Sequence, residues 1–75
     1  MIRLTTLAEA YAGRHGLRKA ISAATIGPDA AIGDVVSFED GGERHDFMVA
    51  GRRWVVAGGA AVLELTLDHP VRRGL

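Results

Sequence analysis

The C-terminal half of the chain holds three apolar-rich runs: Asp34–Glu39, Arg44–Ala57 and Ala61–Asp68. Two glycine pairs, Gly41-Gly42 and Gly58-Gly59, separate them. A Gly-Gly step supplies the two positive φ values that a two-residue hairpin turn needs, so residues 33–70 carry the pattern of an antiparallel meander. The first turn sets Phe38 opposite His45 and Val36 opposite Phe47; the second sets Trp54 opposite Leu63 and Val56 opposite Ala61. Side chains change face at every residue, and on this pairing Phe47 and Val49 have the wrong parity to join Trp54. One extra residue must be absorbed, and a bulge around Gly51-Arg52-Arg53 would do so, bringing Val49 opposite Leu67 and Phe47 opposite His69. The predicted core face then reads Val36, Phe38, Phe47, Val49, Trp54, Val56, Leu63, Leu65 and Leu67. The opposite face is mostly polar, with Ser37, Glu39, Asp46, Arg53, Glu64, Thr66 and Asp68 among its residues.

The N-terminal third has helical spacing. Thr6-Leu7-Ala8-Glu9 matches a capping box, which predicts a helix starting near Leu7. Leu7, Ala8, Tyr11 and Ala12 share one face, and Gly13 and Gly16 offer stop positions, with Leu17 as the apolar residue that follows a glycine cap. A second segment, Leu17–Ile26, places Leu17, Ala20, Ile21 and Ala24 together and ends at Gly27-Pro28. A single helix from Leu7 to Thr25 would have to tolerate both glycines at about 1 kcal/mol each. Two segments within residues 5–27 are therefore expected.

These elements predict an α+β fold for residues 1–75 as a single domain: an N-terminal helix or helical hairpin packed on a three-stranded antiparallel β-meander. A small SH3-like β-barrel with an N-terminal helix is the alternative, because Ile2-Arg3-Leu4 alternates as a strand would and either Met1–Leu4 or Val71–Leu75 could close the sheet.

Composition narrows the setting. Seventy-five residues with no Cys must fold on a small core without disulfides, which fits a reducing, cytoplasmic location. Dimerisation is the remaining way for such a chain to gain burial. No apolar run approaches the roughly 20 residues of a membrane span, and Met1-Ile2-Arg3-Leu4 does not lead into a signal-type core, so a soluble, unprocessed protein without membrane attachment is expected. The abundance of Ala, Gly, Val and Arg is common in proteins of GC-rich bacterial genomes. Net charge is zero. Its distribution is uneven: residues 1–28 carry Arg3, Arg14, Arg18 and Lys19 against Glu9, while Asp29–Met48 carry six acidic residues against Arg44. Such a chain selects partners by orientation and is no general polyanion binder.

Candidate chemistry is sparse. Ser22 and Ser37 are the only serines, neither sits in a nucleophile-elbow sequence, and the glycine pairs lack the Lys-Ser or Lys-Thr of a phosphate loop, so no enzyme and no cofactor is expected. His45 and His69, with Asp34, fall near one end of the core face. They lack metal-ligand spacing and are expected to seal the rim rather than to hold a metal. Arg52 and Arg53 at the bulge could take a partner carboxylate; otherwise Trp54 is core and Arg53 pairs with Glu64. Glu39, Asp40 and Glu43 form an acidic prong around the first turn.

The helical segment adds a resemblance. Leu7-Ala8-Glu9-Ala10-Tyr11-Ala12, then Gly16-Leu17 and Ala20-Ile21-Ser22, resembles the helix-turn-helix of bacterial DNA-binding regulators over about a quarter of the chain. It implies a nucleic-acid surface of Arg14, Arg18 and Lys19. The chain departs from that pattern by one residue between Gly16 and Ile21, which turns the second helix by about 100°.

The expectation is a non-catalytic small protein-interaction module of the bacterial or phage accessory or inhibitor type. Its partner would be another protein or a second copy of itself, met by Arg52, Arg53, Glu39, Asp40 and Glu43. The alternative is a nucleic-acid-binding accessory protein using the basic helices.

Overall fold

The glycine pairs turn the chain where their φ freedom predicts. In the computed structural model, which describes residues 1–72, Gly58 and Gly59 have φ of 58° and 81°, the double positive pair of a type I′ hairpin, and Gly41-Gly42 does the same. The chain runs β1 (Ile2–Leu4), α1 (Thr6–Arg14), α2 (Arg18–Ala23), β2 (Val35–Asp40), β3 (Glu43–Ala57) and β4 (Ala60–Asp68). Strands β2, β3 and β4 form the antiparallel meander. Val36 pairs with Phe47, Phe38 with His45, Trp54 with Leu63 and Val56 with Ala61, in the predicted register.

Two features differ from the expected sheet. First, β1 joins it: Ile2 to Leu4 pair parallel with Leu65 to Leu67, giving the order β1-β4-β3-β2. The result is an α+β fold with a four-stranded mixed sheet that does not close, so the barrel alternative is set aside. A parallel neighbour needs a crossover, and the two helices with the loop and hairpin after them provide the chain for it. Val71 and Arg72 are not in a strand, and residues 73–75 of the other proposed closing segment lie outside the described residues. Second, the bulge lies between Val49 and Gly51, with Ala50 as the extra residue, slightly before the predicted place. It restores the same parity, so Val49 still faces Leu67.

The helices begin and end for local reasons. The N-cap is Thr5 rather than Thr6: its Oγ1 accepts from the Ala8 N–H at 3.2 Å, so the expected capping box with Glu9 is replaced by a single cap. Thr5 wins because its hydroxyl also donates to Asp68 Oδ1 at 2.6 Å, tying the helix start to the end of β4. At the other end Gly16 takes φ of 65°, and the Leu17 N–H reaches back to the Ala12 carbonyl at 2.9 Å, closing α1 in a Schellman turn. Leu17 then takes the N-cap position of α2 without a side-chain cap and is fully buried. The second helix is shorter than the predicted Leu17–Ile26.

Ala8 and Ala12 are fully buried, and their small side chains let α1 lie close on the sheet. With Leu17, Ile21, Phe47, Val49, Leu65 and Leu67 they make the core, and Ile2, Leu4, Val36, Phe38 and Leu63 pack around it. Leu7, expected on the buried face, is exposed. So are Trp54 (55%) and Val56 (70%), which share the core face by parity. Length explains this. Helices of nine and six residues are about 14 and 9 Å long, whereas β3 runs for fifteen residues at about 3.3 Å each before its bulge and twist shorten it. The helical layer covers one end of the sheet and leaves the distal half of the β3–β4 hairpin as an arm. The described chain measures 40 × 32 × 21 Å, and its radius of gyration of 12.7 Å exceeds the roughly 11 Å of a compact chain of this size.

Candidate functional site

The arm is the part of the molecule that folding itself leaves unused. Arg52 and Arg53 stand at its base but do not act together. Adjacent strand residues point to opposite faces, so Arg52, on the helix side, donates to the Pro28 carbonyl at 2.8 Å. Arg53, on the outer side, pairs with Glu64 at 2.9 Å. The expected outward pair of guanidinium groups is not formed; the expected Arg53–Glu64 cross-strand pair is. Glu64 is only 7% exposed on the central strand β4, and Arg3 from β1 also approaches it, at 3.8 Å.

Beyond these arginines, Trp54 to Leu63 carry no charged side chain. Val55 and Val62 lie on the outer face, Trp54 and Val56 on the helix side, and Val62 is 46% exposed. The edge is open as well. β2 pairs with β3 from Glu43 to Met48, and Gly33 and Asp34 bracket Val49 through main-chain bonds of 2.8 Å. From Gly51 to Ala57 no strand of the described chain lies on that side of β3.

The acidic prong sits at the opposite end of β3. Glu39, Asp40 and Glu43 are all exposed around Gly41-Gly42. Arg44 turns to Asp46 at 3.3 Å, and Asp46 accepts from Ser37 Oγ at 2.7 Å. Of the basic helical residues, Arg14 ends α1, and Arg18 opens α2 and is held by Glu9 at 3.4 Å. Lys19 is exposed. Glu9 and Arg18 line an open groove of about 390 Å³ between β1 and α2, together with Arg3 and Ser22.

A third constellation was only half legible. His45 and His69 do meet at one end of the core face, but around Tyr11, and His15 joins them. The Tyr11 ring stacks on His69 at 3.7 Å between centroids and lies 4.2 Å from His15, and its hydroxyl shares a 2.8 Å hydrogen bond with Nδ1 of the buried His45. Phe47 closes the cluster edge-on at 5.8 Å from Tyr11. The four-residue spacing of Tyr11 and His15 on one helix face was the available signal. Asp34 is not part of this group: it pairs by main chain with Val49, and its carboxylate accepts from the Ala31 N–H at 2.8 Å. Among the described residues, no group of three His, Cys, Asp or Glu side chains is placed to hold a metal ion. Burial, followed by the charge of Arg14, pushes the His69 pKa down, with Asp68 opposing.

No family model, no curated protein and no solved structure matches the chain. Among the described residues no helix is long and apolar enough to cross a membrane.

Proposed function

We propose that this chain is a non-catalytic protein-interaction module of the small accessory or inhibitor type, binding through the β3–β4 arm. One observation carries the reading: an open strand edge coincides with ten uncharged residues, Trp54–Leu63, of which only Leu63 packs against the core. An extended segment laid on this edge gains main-chain hydrogen bonds, and the alternating Trp54 and Val56 side chains supply selectivity, as in other cases of β-strand addition. The acidic turn at the far end of β3 would orient an approaching basic surface.

The test is a random decapeptide library displayed on phage, selected on the wild-type protein and counter-selected on Val56→Lys. Expected are β-branched and aromatic sequences that bind in the micromolar range and lose binding to the variant. Peptides that bind both proteins equally, or none at all, contradict the reading. Salt-sensitive binding of a mixed-sequence DNA duplex that Arg14→Ala, Arg18→Ala and Lys19→Ala abolish would favour the nucleic-acid role instead.

A further inference from the structure

We infer that the strand taken up by this arm is the same arm of a second copy, paired antiparallel about a two-fold axis through Val55; the inference rests on the interaction reading above and names its partner.

The first step is a survey of edges. Proteins protect free edges with charge, short strands or covering chain. β1 is three residues long and carries Arg3, the free stretch of β4 is Ala60–Val62, and the outer edge of β2 carries Glu39 and Asp40 near the acidic turn. The distal edge of β3 carries Arg52 and Arg53 only at its base, both held within the chain. It is long enough to pair, and no charge lies between Trp54 and Ala57.

The second step is register. The residues flanking a two-residue turn form a hydrogen-bonded pair, here Ala57 and Ala60. Ala57, Val55 and Arg53 therefore bond inward to β4, while Trp54 and Val56 turn their N–H and C=O groups to the open edge. A two-fold axis perpendicular to the sheet keeps each face on its own side, so it must pass through a residue of the strand. Through Val55, Trp54 lies opposite the partner's Val56 and Val56 opposite the partner's Trp54, each pair exchanging two main-chain hydrogen bonds. Both pairs are apolar, lie on the helix side and belong to side chains 55% and 70% exposed in the single chain. Val55 meets the partner's Val55 on the outer face. An axis through Trp54 would set Arg52 opposite the partner's Val56, and one through Val56 would set Trp54 opposite the partner's Gly58, whereas through Val55 both hydrogen-bonded pairs of the uncharged segment join Trp54 to Val56 and Arg52 meets the turn only beyond them. Val55 alone centres the pairing in the uncharged segment.

The third step is charge. Arg52 and Arg53 are already engaged by the Pro28 carbonyl and Glu64, so the pairing leaves neither without a partner. With no net charge on the chain, long-range repulsion between copies is small. Four residues a side make a strip short of the roughly 800 Å² per side of a standard interface, so a weak, concentration-dependent dimer is expected.

The chain has no Cys, which makes single-cysteine variants direct reporters of register. Val55→Cys should form an intermolecular disulfide under mild oxidation. Arg53→Cys and Ala57→Cys should not cross-link alone but should do so when mixed, because each faces the other across the axis at a non-hydrogen-bonded site. Sedimentation equilibrium should show a wild-type dimer that Val56→Lys dissociates. Val56→Pro, which removes an outward N–H without touching the β4 ladder, should act likewise; circular dichroism should show both variants folded. A wild type monomeric at about 1 mM overturns the inference. So does a dimer that Val56→Lys leaves intact, or one in which Val55→Cys fails to cross-link. A monomer whose arm still takes the selected peptides removes the second copy while keeping the interaction module.

Discussion

At the scale of single residues, the histidine end of the molecule should make stability depend on pH. The folded chain holds the His69 pKa below the usual 6.5, first by burial and then through Arg14, with smaller contributions from His15 and His45 against the opposing Asp68. The unfolded chain thus binds a proton more readily, so this contribution is complete above pH 6.5 and is lost as pH falls below it through the lowered folded value. Asp68 acts in a more acidic window. Its hydrogen bond from Thr5 outweighs burial and, helped by the His69 N–H, Arg72 and His69, lowers its pKa from 3.8; that contribution is present above 3.8 and lost as pH falls through the depressed value. The urea midpoint should therefore fall as pH drops below 6.5, with a shallower fall in His69→Gln. A midpoint that rises on acidification through this range would contradict the assignment.

At the scale of elements, the bulge at Ala50 carries more than its size suggests. It lets Phe47 and Val49 share a face with Leu63, Leu65 and Leu67, although the two turns taken alone would place them on opposite faces. Deleting Ala50 forces one half of β3 to present its polar face to the core. The cost should be about 3 kcal/mol or more, seen as loss of the cooperative thermal transition by circular dichroism. The need for a bulge was legible from parity alone, since two fixed turns and alternating side chains leave one residue over. Its site was less legible. Arg53 must stay in register to reach Glu64, and Gly51 pairs regularly with Thr66. The extra residue therefore falls one step earlier.

At the scale of the whole molecule, core and arm should respond oppositely to substitution. A chain of this length has roughly 4–11 kcal/mol of stability in total. Phe47→Ala empties the centre of the core and should cost about 3–5 kcal/mol, leaving the protein unfolded or close to it. Trp54→Ser changes an exposed arm and should shift stability by about 0.5 kcal/mol or less in dilute solution. Urea titrations of the two variants check this. A large loss for Trp54→Ser would mean that the arm folds back on the body.

The sequence by itself determined what depends on near neighbours: two glycine turns, the cross-strand pairs beside them, the glycine stop at Gly16 and the parity that demands a bulge. Each follows from φ freedom or from side-chain alternation over a few residues. Tertiary structure decided what depends on lengths and distant partners. Thr5 rather than Thr6 caps α1 because Asp68, far along the chain, holds its hydroxyl. Ile2–Leu4 becomes a strand because β4 offers a free edge. Tyr11 gathers all three histidines because α1 lands on that end of the sheet. Trp54 has the pattern of a core residue and is exposed, because alternation specifies which face a side chain takes but not how far the opposing helices reach.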